Sequence, residues 1–137
     1  MTHQPAVFNR TYDEAFNLVV EARNYMRYVE PRARRRGGYG GLECSCEALR
    51  VTSRLTQVMA WLMLQRAVMA GEVTQEQAMA EDNLLSGQDV CLVERDELDL
   101  PPALRSLLER SHRLYQRVSR LERMVLDRLQ GGSVMVH

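Results

Sequence analysis

The chain has 137 residues, 45% of them hydrophobic and 6% aromatic, and no formal net charge at neutral pH. That length suits a single domain, 1–137, large enough to bury a core, and the neutrality argues against binding to nucleic acid or anionic lipid through bulk charge. All 18 basic residues are arginine, so lysine Schiff-base chemistry and lysine modification are excluded.

Residues 1–10 read as a flexible lead-in, without the charged start and apolar run of an export signal. Thr11, with Glu14 three residues on, has the form of a capping box. Ala15, Leu18, Val19, Ala22, Met26 and Val29 then recur at helical spacing, and Pro31 predicts the stop, giving a helix over Thr11–Glu30. Arg32, Arg34, Arg35 and Arg36 precede the glycines of 37–41, which predict a loop. The second helix is expected over Ser45–Ala70. Its first half is amphipathic, with Val51, Leu55, Val58 and Leu62 between polar residues that include Arg54. From Val58 onward only Gln65 and Arg66 are polar, so this half is expected to be buried on every face. Gly71 is its left-handed stop.

Thr74 and Gln77 form another capping box, opening a short helix near Thr74–Asn83. Ser86 to Asp89 reads as a turn, Val90 to Val93 as a short apolar run, and Glu94 to Asp99 as an acidic segment. The last helix is expected over Pro102–Leu129, with Pro102 at its first position. Leu104, Leu107, Ser111, Leu114, Val118, Leu121 and Val125 alternate in steps of three and four along one seam. Gly131 and Gly132 are expected to end it, leaving 130–137 as a short flexible tail. No stretch has strand periodicity. The expected fold is all-α, an antiparallel three-helix bundle with a short extra helix in the second connection. With no apolar run long enough to span a bilayer, the expected location is cytoplasmic.

Catalytic chemistry finds little material. Cys44, Cys46 and Cys91 are three thiols where a structural zinc needs four ligands, so neither metal nor other cofactor is expected. Ser111 and His112 are adjacent on a helix and point about 100° apart, which rules out a dyad. The glycines of 37–41 follow no strand and precede no Lys-Ser/Thr pair, so a phosphate loop is excluded. Arg66, in the apolar half of the second helix, is expected to snorkel or to pair with Glu21, Glu109 or Glu122.

Three segments carry a resemblance. They are Arg10 to Ala15 with Val20 to Arg23, Arg54 to Leu62 with Gln65 to Val68, and Leu100-Pro101 with Leu107 to Ser111 and Leu114 to Val118. Together they resemble the alphaproteobacterial regulator of CtrA degradation (RcdA-like) family. That resemblance implies a small helical bundle that dimerises. It also implies a non-enzymatic adaptor that helps deliver cell-cycle proteins to the ClpXP protease with a response-regulator partner. It supplies no catalytic residues.

The alternative is a nucleic-acid-associated regulator using the Arg-rich loop. Independently of the resemblance, the apolar half of the second helix predicts a homodimer through Trp61, Leu64 or Val68, because three helices cannot cover it. The remaining candidate contacts are the charged segments, Arg32, Arg34, Arg35 and Arg36 on one side and Glu94, Asp96, Glu97 and Asp99 on the other.

Overall fold

Helix ends set the architecture, because each leaves backbone groups that something must satisfy. The computed structural model describes residues 3–29, 31–32, 41–86 and 100–136. Among them are four α-helices: α1 over His3–Asn24, α2 over Gly41–Met69, α3 over Gln75–Ala78 and α4 over Pro102–Val136. A π-helical turn, Tyr25–Val29, prolongs α1, and a 3-10 turn, Glu81–Asn83, follows α3. The described residues contain no strand.

The end of α2 and the start of α3 follow the sequence expectation closely. Gly71 has φ of 77°. Its N–H donates to the Val68 carbonyl and the Glu72 N–H to that of Ala67, the paired bonds of a Schellman stop. At α3, Thr74 Oγ1 accepts from the Gln77 N–H while Gln77 Oε1 accepts from the Thr74 N–H, completing the capping box.

Other boundaries move. α1 starts at His3, so the lead-in is helical and Thr11 is a buried interior residue, not a cap. The cause is Phe8, which packs edge-on against Trp61 with ring centroids 5.8 Å apart and so ties the first turns to the core. At the other end α4 runs through Gly131 and Gly132 to Val136. Neither glycine takes a left-handed φ there, and glycine weakens a helix by about 1 kcal/mol without necessarily ending it.

The three long helices pack as a bundle around α2, which lies along both α1 and α4. Met26 meets Thr52 and Tyr12 meets Arg66, so α1 and α2 run in opposite directions. Glu14 meets Arg117 and Glu21 meets Arg110, so α1 and α4 are antiparallel as well. It follows that α2 and α4 run the same way, which corrects the expected alternation. Arg54 on Ser111, and Gln57 and Tyr115 both on Ser86, keep that order. The second connection therefore joins opposite ends of the bundle, with residues 87–99 outside the described residues. Met79 and Leu85 at its start and Leu100 at its end are buried.

The predicted seam of α4 forms the core with Leu104, Leu107, Leu114 and Val118, joined by Val51, Val58 and Leu62 of α2 and Ala15 and Leu18 of α1. No helix among the described residues is long and apolar enough to cross a membrane.

Candidate functional site

The largest departure from the sequence reading lies on α2. Its second half is not buried all round. Met63 is 56% exposed, and Ala60 and Met69 are also open. On α1, Phe16 is 50% exposed and stacks on Tyr12. Between the two helices, on a face lined by no residue of α4, lies an open groove of about 760 Å³. Leu55 and Ala22 form its floor, Val19, Met26, Met59 and Met63 its apolar walls, and Arg23 and Arg27 its charged rim. The heptad-like spacing of 12, 16, 19, 23 and 26 brings this strip to one face of α1, while 52, 56, 59 and 63 face it from α2.

The predicted contact residues scatter. Trp61 is 1% exposed, covered by Phe8, and its side chain cannot meet a partner subunit in this fold. Only a subunit contact elsewhere on the chain is compatible with that burial. Leu64 and Val68 are half-buried, and Arg32 is exposed. Arg34, Arg35, Arg36, Glu94, Asp96, Glu97 and Asp99 lie outside the described residues, as does Cys91. Cys44 is buried and Cys46 exposed. Among the described residues no three His, Cys, Asp or Glu side chains come together as metal ligands.

Charge is organised along the two junctions of α4. Arg110 reaches Glu21 with two bonds of 2.6 Å, and Arg117 grips Glu14 in the same bidentate way. Hydrogen bonding from the Arg110 guanidinium lowers the Glu21 carboxyl below its ordinary value. Glu122 is buried and accepts the Leu85 N–H at 2.7 Å. Burial raises its carboxyl above the ordinary value, and the Leu85 bond opposes that rise.

The guanidinium that needed an internal partner is not Arg66. Arg66 is exposed, the snorkelling alternative of the sequence reading, and lies over the Tyr12 ring at 4.4 Å in a cation–π contact in place of a carboxylate pair. Arg54 is the buried one, 1% exposed, donating to the Leu108 carbonyl at 2.9 Å and Ser111 Oγ at 3.2 Å. His112, next to Ser111, is buried too.

The comparisons with known proteins accord with this fold. The signature of the family described as "Protein of unknown function (DUF1465)" matches residues 1–133. The chain belongs to that family. The crystal structure of RcdA from Caulobacter crescentus CB15 is similar to this DUF1465 chain at 35% identity. The match covers 86% of this chain and 89% of that one, with a TM-score of 0.70. A comparison with curated proteins gives no match. The DUF1465 bundle is therefore RcdA-like in sequence and in fold, in agreement with the resemblance carried by its three segments. Its apolar groove is the feature that sequence reasoning missed. The alternation of Phe16, Val19 and Met26 with Met59 and Met63 was visible, but it reads equally well as core.

Proposed function

We propose that this chain is a non-enzymatic, RcdA-like adaptor that helps deliver cell-cycle regulatory proteins to the ClpXP protease. The observation that carries the reading is the 35% identity to RcdA across most of both chains. In this reading the protein works in the cytoplasm as a homodimer, with a response-regulator partner, and holds its protein substrate by surface contacts alone. An adaptor needs no catalytic group. Tethering raises the substrate's local concentration at the protease toward about the millimolar range, which is enough to change its lifetime.

The contact surfaces proposed with it are the half-buried Leu64 and Val68 for the subunit partner, and the two charged segments for protease or partner. Arg32, Arg34, Arg35 and Arg36 form one, and Glu94, Asp96, Glu97 and Asp99 the other. Such charges steer encounter more than they add affinity. The test is reconstituted degradation with the protease, its response-regulator partner, a cell-cycle substrate and this chain. The expected result is a substrate half-life that shortens as the chain is added. An unchanged half-life at every concentration rejects the reading.

A further inference from the structure

The groove between α1 and α2 is apolar at its floor and walls, and among the described residues its only charged lining residues are Arg23 and Arg27. Neither arginine has a carboxylate partner among the described residues. Arg23 reaches only its neighbour Asn24, and Arg27 lies over the exposed Tyr28 ring. No acidic residue among those described lines the groove. From Thr52 to Met63 it spans about 16 Å of α2, or three helical turns. We propose that this groove docks an amphipathic, acid-flanked helix of a partner protein, which lays an apolar face on Met26, Met59 and Met63 and sets carboxylates on Arg23 and Arg27. The proposal rests on the adaptor reading and adds the chemistry of the partner segment.

Three physical points select that occupant. Both walls are α-helices whose backbone groups are already bonded internally, so the groove offers no edge to an extended peptide. A strand laid there would leave its own N–H and C=O groups against apolar side chains, whereas a helix satisfies them itself. Second, Arg23 and Arg27 meet no carboxylate among the described residues, so an acidic segment gains opposite charges there that an apolar or basic one lacks. Third, three methionines on the walls give an unbranched, polarizable surface that repacks around different apolar anchors, which suits a protein that receives more than one partner.

Selection from a display library of random amphipathic helical peptides on the full-length chain tests this, followed by fluorescence-anisotropy titration of the best synthetic binder. The expected binder has apolar residues at i, i+4 and i+7 and an excess of Glu or Asp. Met59→Arg abolishes its binding. The Arg23→Glu, Arg27→Glu double variant weakens it by about tenfold or more, and a peptide with Lys in place of its acids regains affinity for that variant. Circular dichroism and light scattering on each variant check that fold and mass are retained.

Selection of no binder, of binders without acidic residues, or of binders indifferent to Met59→Arg overturns the proposal. So does a loss of dimer mass in Met59→Arg, which would make the groove a seam between copies. The degradation assay separates the two ideas. If Met59→Arg still shortens substrate half-life as the unaltered chain does, the groove proposal fails and the adaptor reading stands. If the unaltered chain has no effect, the adaptor reading fails whatever the groove binds.

Discussion

Arg54 and Arg66 lie twelve positions apart on α2 and have opposite fates. Arg66 looked the more exposed to trouble, because its neighbours in sequence are apolar. Yet it lies outside, over Tyr12, where a cation–π contact contributes about 0.5–1 kcal/mol. Arg54, with polar neighbours in sequence, faces α4 and bonds Leu108 and Ser111 in the core. Removing it leaves those acceptors buried without that donor and opens a cavity. Arg54→Ala is therefore expected to destabilise the fold by about 2–4 kcal/mol, and Arg66→Ala by about 1 kcal/mol or less. Urea unfolding followed by circular dichroism checks both, and equal costs would overturn the assignment. Nothing in local sequence distinguishes the two, because which helix face meets α4 depends on how α4 is placed.

At the scale of the element, α1 is the instructive case. Its capping-box pattern at Thr11 and Glu14 is a sound local signal, and tertiary packing overrides it. Phe8 lies in the segment expected to be flexible, and burying it on Trp61 returns more than the cap at Thr11 would have supplied. Phe8→Ala is expected to cost about 3–5 kcal/mol and to shift the emission of Trp61, the single tryptophan, to the red. An unchanged unfolding midpoint and spectrum would return residues 3–10 to the role of lead-in. α4 needed no such correction along its seam. Its period-matched leucines and valines are buried as predicted, Leu121 only partly, because one apolar stripe on an otherwise charged helix has only one way to face a core. The two bidentate pairs to α1 are exposed and lie seven residues apart on both helices. Each contributes about 0.2–1 kcal/mol, so they set direction and register more than stability.

For the whole molecule, the bundle leaves apolar surface that no described residue covers, on Phe16, Met63 and the groove between α1 and α2. Surfaces of this kind mark contact sites. Trp61 is buried, so the subunit contact proposed above rests on Leu64 and Val68, apart from the groove. A homodimer mass is expected by light scattering at tens of micromolar, and a monomer mass there would reject it.

The sequence by itself determined the helical class, the seam of α4, the stop at Gly71 and the cap at Thr74, because each depends on residues within a turn or two of one another. The resemblance read from three of its segments likewise needed no fold. Tertiary structure alone decided that α2 and α4 run the same way, that Arg54 is internal, that Trp61 is covered and that a groove opens between α1 and α2. Those outcomes depend on which faces meet across long sequence separations. Helical periodicity says only that a face is apolar, and the same apolar stripe serves equally as a core or as a docking surface until its neighbours are in place.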